Sequence, residues 1–474
     1  MNDNNYQNYN YSQRAFVMQG GAALGAYEAG VFKAIYEPLT NNNNAHKEKD
    51  KHLFDILAGT SIGAIHAAII ANYVINNRKN GKSMHESWKG IDQILYSFWE
   101  DLSTLTFVEI DPTFSFRWNS FRYINNDIAE AEAARRYYSV KELLVTGSKN
   151  IFGAPESMPD KKFLDPMNTR YLYNNRPLRK LLEEKYLKDF SLKTEPPEPR
   201  LLLVTVDVQE GTTVTFDSYY EKTEYDDKHV IEYPDGLTID HVLASASVPV
   251  HYDYATIAAK DSQRKFWDGI ILSNTPLREL IGQHNKFWKE KIEKYGKDIV
   301  LESIWSDDND THSDISKNLP KVPDIDVIYI VNLWPKIEEL IAVDHDGQID
   351  RRNDIVYHDK TEYDQKVATF VTDYIDLVKK IRELALKHMT DKETKEFKNE
   401  IDDLLLNNPA KSKFRTGDNR MYIDLLKGRF SIEKIKRIER QDDEYTVSNK
   451  WADFSYTTIN KLIGDGYNQA KAQL

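Results

Sequence analysis

Phe54-Asp55-Ile56-Leu57-Ala58-Gly59-Thr60-Ser61-Ile62-Gly63-Ala64-Ile65 reads as a buried strand, a sharp turn and the opening of a helix, with a serine at the turn. Gly59 and Gly63 bracket Ser61 in the pattern G-x-S-x-G. Such a turn lifts a hydroxyl above the end of a sheet and aims the positive end of the following helix at it. The flanking glycines are needed because the turn is tight and larger neighbours would collide with the strained serine. Ala64, Ala67, Ala68 and Ala71 give the helix a thin face that can pack close to a sheet. Ser61 is therefore a candidate nucleophile, with Gly59 and Gly63 as its elbow. The same pattern also occurs in ordinary glycine-rich turns, so the assignment needs further residues.

A nucleophilic serine needs amide donors for the oxygen that becomes negative in the tetrahedral intermediate. Ala15–Met18 is a short apolar strand that runs into Gln19-Gly20-Gly21-Ala22-Ala23-Leu24-Gly25, where small side chains leave backbone amides accessible. A dinucleotide-binding turn is the competing reading, since strand, glycine turn and helix also describe G-x-G-x-x-G. Ala22 stands at its middle position, and the second strand ends in the Ser61 turn, with no acidic residue placed to hold a ribose. The nucleophile also needs a base, and Asp268 in Phe266-Trp267-Asp268-Gly269 is the candidate. The aromatic neighbours would partly desolvate its carboxylate and raise its pKa. Gly269 would allow the turn that lets it reach Ser61. Taken alone, Asp-Gly is a common plain turn.

Bulk properties narrow the function classes. The chain has 474 residues, 41% hydrophobic and 12% aromatic, enough for one large domain with additions or for two to three domains. A net charge of -12 argues against non-specific nucleic-acid binding and gives no global attraction to an anionic membrane. A local patch could still dock on one. The absence of cysteine excludes disulfides, thiolate catalysis and Cys-based zinc sites. No signal peptide is evident in the polar stretch Met1–Gln13, which is expected to be a disordered lead-in. The longest apolar run, near Ile62–Ile75, is too short for a membrane span. A soluble, cytoplasmic protein is expected, peripheral at membranes if it meets them at all.

Along the chain, Asn41–Lys51 reads as a polar loop. From Met84 to Pro199 the segment reads as a mostly helical cap inserted over the sheet. Trp88, Ile91, Ile94, Leu95, Phe98 and Trp99 have helical spacing, Leu178, Leu181 and Leu182 mark another helix, and Asp111-Pro112 with Phe114, Phe116, Trp118 and Phe121 suggests loop. Thr194–Pro199 closes the insertion stiffly. Leu201–Val208 and Thr212–Phe216 read as a hairpin, Leu237–Ala246 as a helix, and Lys265–Trp267 and Ile325–Leu333 as strands. Strands alternating with helices imply an α/β sheet, mostly parallel.

Beyond Lys336 the chain is highly charged. Val367, Phe370, Val371, Tyr374, Val378, Ile381, Leu384 and Ala385 form one apolar helix face, expected to pack against the main domain, with a coiled-coil partner as the lesser option. Thr390 and Glu393 resemble a capping box opening the next helix, which carries Phe397, Ile401 and Leu404. Met421–Leu426 reads as a strand, and the end from Tyr456 as helix.

Four blocks together resemble the patatin-like phospholipases. They are Gln19–Val31, Gly59-Thr60-Ser61-Ile62-Gly63-Ala64, Ser245-Ala246-Ser247-Val248-Pro249, and Asp268-Gly269 with Leu272–Leu277 behind it. Their order and spacing match over Arg14 to Trp334. The tail, including Arg351-Arg352-Asn353-Asp354-Ile355, is more weakly similar to the C-terminal extension of a microbial patatin subgroup.

The resemblance implies a patatin-like three-layer α/β fold with residues 14–335 as the catalytic domain, 84–199 as its cap and 336–474 as a mainly helical extension packed on it. It implies a Ser–Asp dyad, with Ser61 as nucleophile, Asp268 as general base and the amides of Gly20, Gly21 and Ala22 as oxyanion hole. It further implies an acyl-enzyme route on phospholipids or related lipids at a lipid surface, without calcium, other metal or cofactor. Two residues depart from the family pattern. Its third glycine is Ala22 here, which matters if that position needs positive φ. Ile270 stands where glycine or alanine is common and could narrow the space near the dyad.

A histidine completing a triad is the alternative on the basic side. His66 sits on the packed helix about one turn beyond Ser61 and reads as structural. His229, His241 and His251 precede Asp268 with no spacing that favours them. There is no H-E-x-x-H and no P-loop. Acyl transfer or thioester cleavage by the same dyad and a non-catalytic lipid-binding scaffold are the rival functions; oligomeric state is left open.

Overall fold

The structure, a computed structural model, describes residues 12–41, 51–110, 128–153, 171–220, 231–258, 263–294, 301, 304–305, 322–338, 343–411, 420–441 and 447–474. Most of the N-terminal lead-in, the Asn-rich loop, the 111–121 aromatic segment and His229 lie outside them.

Among the described residues, eight strands form one mixed sheet. In chain order they are β1 (Gln13–Met18), β2 (Ile56–Thr60), β3 (Arg200–Asp207), β4 (Thr212–Asp217), β5 (Ala255–Ala258), β6 (Gln263–Asp268), β7 (Ile325–Asn332) and β8 (Ile432–Glu439). The spatial order is β8-β7-β1-β2-β3-β6-β5, with β4 paired to β3. β1, β2 and β3 run parallel, while β4 and β6 are antiparallel to β3. β2 and β3 are buried at every position, as apolar runs covered on both faces must be.

Helices follow the strands as the periodicities imply. α1 (Ala26–Asn41) follows β1, α2 (Ile62–Lys79) follows β2, and α3 (Ile91–Leu102) carries buried Ile91, Leu95, Phe98, Trp99 and Leu102. α4 (Ile128–Thr146), α5 (Ile239–Ser245), α6 (Leu277–Glu293), α7 (His345–Tyr357), α8 (Glu362–Lys387), α9 (Asp391–Asn407) and α10 (Tyr456–Gln473) complete the larger helices. None of the described helices is long and apolar enough to cross a membrane.

By contacts the chain divides into two compact units. The first takes Arg14–Leu277, Ile328–Lys360 and Ile435–Leu474. Its core spans Phe16, Leu24, Leu57, Ile65, Phe98, Leu203 and Phe266, and includes Phe454, Ile459 and Leu462 from the far end of the chain. Tyr27 on α1 donates to Gln469 on α10 at 2.8 Å. The second unit is built mainly from Arg278–Val327 and Thr361–Lys434, around Ile292, Leu405, Ile423 and Leu426. This grouping differs from the single boundary expected at 335/336, because α10 and the segment before it share the first unit's core.

Three expectations from the tail meet the structure differently. The capping box forms, with Thr390 N donating to Glu393 Oε2 at 2.8 Å. The strand expected over Met421–Leu426 is instead a 3-10 turn, Tyr422–Leu425, because Asp424 Oδ2 accepts from Met421 N at 2.8 Å and closes the chain on itself. Within its own unit the apolar stripe of α8 is not packed over. No residue of α8 is buried, and Tyr363, Val367, Phe370, Tyr374, Leu377, Ile381 and Leu384 are exposed.

Candidate active site

Sheet register brings Ser61 and Asp268 together. On one side of β3, Thr60 pairs with Val204; on the other, Asp268 pairs with Thr205. Ser61, the residue after Thr60, is thus level with Asp268 across one strand. Neighbouring strands lie about 4.8 Å apart, so two strands' width separates the backbones and both side chains must lean inward. They do: Ser61 Oγ donates to Asp268 Oδ2 at 2.6 Å.

Ser61 itself is held in an unusual backbone conformation, φ 57° and ψ -123°, as the N-cap of α2. A non-glycine residue reaches that region only when its surroundings enforce it. The elbow glycines supply the space. A methyl carbon on Gly59 would lie 2.2 Å from Gly63 O, and one on Gly63 would lie 2.5 Å from Met18 O. Ser61 N donates to Ser245 Oγ at 2.9 Å, and Ser245 Oγ donates onward to Val204 O at 2.5 Å. Thr60 Oγ1 donates to Ser273 O at 2.9 Å, tying the elbow to the loop behind Asp268.

Asp268 is completely buried. Burial pushes its carboxyl up to about 7, against the opposing pull of hydrogen bonds from Ser61 and from Ile270 N. Asp268 Oδ1 accepts from Ile270 N at 2.9 Å, and Asp268 N donates to Ser247 O at 2.9 Å. Gly269 serves close approach rather than turn angle, since a methyl carbon there would lie 2.6 Å from Val204 O. Ile270 does not line the cavity beside Ser61.

The first glycine turn lies against the serine: a methyl carbon on Gly20 would be 3.0 Å from Ser61 Cβ. Of the three amides expected in the oxyanion hole, that of Gly20 is already engaged, donating to Asn274 Oδ1 at 2.9 Å. Gly21 N–H and Ala22 N–H have no hydrogen-bond acceptor among the described residues. Ala22 sits at φ 46°. The position does demand the left-handed conformation, and an alanine accepts it at a cost of about 1–2 kcal/mol.

Ser61 opens onto an apolar cavity of about 620 Å³, open solvent at its mouth included. Leu102, Ile151, Phe152, Tyr173 and Leu178 reach it from the segment between β2 and β3, and Trp451 and Phe454 from the last thirty residues of the chain. The expected histidines fall into place separately. His66 is buried between Glu28 Oε2, 2.9 Å from its Nδ1, and Trp99 Nε1, which donates to its Nε2 at 2.9 Å. His241 caps α5 through Thr238. His251 lines the cavity, its ring 5.0 Å from that of Trp451, and burial lowers its pKa.

The family profile for patatin-like phospholipase matches residues 16–281, more than half of the chain and a span that holds Ser61, Asp268 and the first glycine turn. The chain belongs to the patatin-like phospholipase family. That family is one of lipid acyl hydrolases, and the mixed sheet flanked by helices is its fold. Nothing matches among curated proteins. Among solved structures, the crystal structure of VipD from Legionella pneumophila is matched at 13% identity with a TM-score of 0.30, over 98% of this chain. The chain spans 66% of that protein's length, and a likeness so low bears on neither fold nor function.

For a patatin-like chain, several contributors lay outside the sequence reading. Ser245 and Ser247 stood in a block noticed only through the resemblance, and here they brace Ser61 and Asp268. Asn274 lay in the block behind Asp268, and its second contact, Nδ2 donating to Tyr357 O at 2.7 Å, is 83 residues away. Trp451 and Phe454 carried no local signal.

Proposed function

We propose that the chain is a serine lipid acyl hydrolase working through Ser61 and Asp268. The observation that carries this reading is the 2.6 Å hydrogen bond from Ser61 Oγ to a buried carboxylate, at the wall of an apolar cavity. Ser61 Oγ attacks the ester carbonyl carbon while its proton passes to Asp268 Oδ2. Negative charge develops on the carbonyl oxygen, where the amides of Gly21 and Ala22 donate. The C–O bond to the alcohol breaks, and Asp268 returns the proton to the departing oxygen. Water then attacks the acyl carbon, giving a proton to the same carboxylate; the bond to Ser61 Oγ breaks, Asp268 returns the proton to Ser61 Oγ, and the fatty acid leaves. The cavity's apolar walls favour an acyl chain over a polar acyl group. A phospholipid or related lipid ester presented at a lipid surface is the substrate class this supports.

The test is an ester-hydrolysis panel with wild type, Ser61→Ala and Asp268→Asn. Both variants are expected to lose activity by a factor on the order of 10³ or more. Retained activity in Asp268→Asn would move the base elsewhere. Product analysis with added alcohols or thiols separates hydrolysis from acyl transfer.

A further inference from the structure

We propose that α8 is the contact helix of a homodimer, in which two copies of the chain pair antiparallel through their exposed apolar seams. α8 runs 26 residues without glycine or proline. Val367, Phe370, Tyr374, Leu377, Ile381 and Leu384 recur at alternating steps of three and four, and each is 44% to 69% exposed. That is a 3.5-residue period, the spacing of a coiled-coil seam. The opposite side of α8 is occupied within its own unit: Ile375 packs on the cluster of Ile292, Leu405 and Ile423, and Arg382 lies 4.4 Å over the Trp305 ring. A lipid surface is the weaker occupant. The helix carries five acidic and five basic side chains, so no net positive charge draws it to headgroups.

Side-chain size and charge select the antiparallel register. With Tyr374 opposite the partner's Leu377, Phe370 meets the partner's Ile381 and Val367 meets the partner's Leu384. Every layer then joins a larger side chain to a smaller one. The flanking positions set Asp373 against the partner's Lys380, twice by symmetry. Lys366 and the partner's Lys387 meet at the outer ends, where solvent screens them. In a parallel pair Asp373 and Lys380 would face Val378 and Ala385 of the partner and gain nothing. Three heptads make a small interface, so association is expected to depend on concentration.

The chain has no cysteine, so introduced thiols report the pairing without background. Full-length Phe370→Cys and Ile381→Cys, mixed and mildly oxidised, should give a disulfide-linked dimer. Phe370→Cys alone should not, because an antiparallel pair holds the two 370 positions eleven residues, or about 16 Å, apart. Sedimentation should show a monomer–dimer equilibrium in the wild type. Asp373→Lys should weaken it at least tenfold, and Asp373→Lys/Lys380→Asp should restore it, a rescue that no folding defect mimics. A wild type monomeric at every concentration would overturn the proposal. So would cross-linking of Phe370→Cys alone, or an α8 that binds phosphatidylcholine vesicles while the chain stays monomeric.

Discussion

Asp268 is completely buried, and that sets both its chemistry and its cost. Its carboxyl titrates at about 7 rather than 3.8 because burial penalises the charge. The charged form is the proton acceptor, so kcat/KM against an ester should rise as pH increases through 7 and level off above it. Stability runs the other way. A folded-state pKa above the unfolded one favours folding fully below the unfolded value, and that contribution is lost as pH rises through the folded value. Asp268→Asn should therefore melt at a higher temperature than wild type at pH 8 while being inactive. A variant that melts lower at pH 8 would show that the carboxylate contributes stability there instead. Ser61 and Asp268 were legible in the sequence because each sits in a short motif with its own geometry. Ala22 was legible only as a departure; its φ of 46° shows that the chain tolerates strain beside the serine rather than relaxing the turn. Ser245, Ser247 and Asn274 were not legible as braces, since their partners lie far along the chain and no spacing rule links them.

At the scale of elements, the strand–elbow–helix unit of β2 and α2 depends on backbone approach. Ala64, Ala67, Ala68 and Ala71 are all fully buried, as the thin helix face implied. Gly59→Ala would drive a methyl carbon into Gly63 O, and rigid backbone on both sides cannot yield cheaply. The expected result is a loss of about 3 kcal/mol, the upper end for overpacking, by denaturant unfolding, with esterase activity gone. A fully stable Gly59→Ala would mean that the elbow is looser than its geometry indicates. The parallel strands announced themselves as short apolar runs, β1 and β2 beside glycine turns. β8 did not, because Glu433, Lys434, Lys436 and Arg437 give it the charged character of an edge strand, and only Ile438 is fully buried. α8 announced its helix through its stripe, but a stripe does not say what covers it.

Across the whole molecule, distance along the chain is a poor guide to membership. The sequence suggested a separate extension from 336 onward, packed on the catalytic domain, whereas Trp451 and Phe454 line the cavity beside Ser61 and α10 shares the core with α1. Lys450, completely buried, bridges Asp350 Oδ2 at 3.0 Å and Asp354 Oδ1 at 2.7 Å, fixing the Trp451 segment against α7. The Arg351–Ile355 stretch noticed in the sequence thus acts through Asp354 as part of that anchor. Removing the indole with Trp451→Ala should lower kcat/KM on long-chain esters by roughly tenfold while leaving acetyl and butyryl esters little changed. Equal losses on short and long chains would mean that Trp451 serves the fold and not the acyl chain.

Labelling with a fluorophosphonate, followed by intact-mass and peptide analysis, addresses the reacting pair most directly. One adduct per chain is expected on the Ser61 peptide, absent in Ser61→Ala and slowed by orders of magnitude in Asp268→Asn. Stoichiometric labelling that survives Ser61→Ala, or that proceeds at wild-type rate without the carboxylate, would contradict a nucleophile at 61 driven by a base at 268.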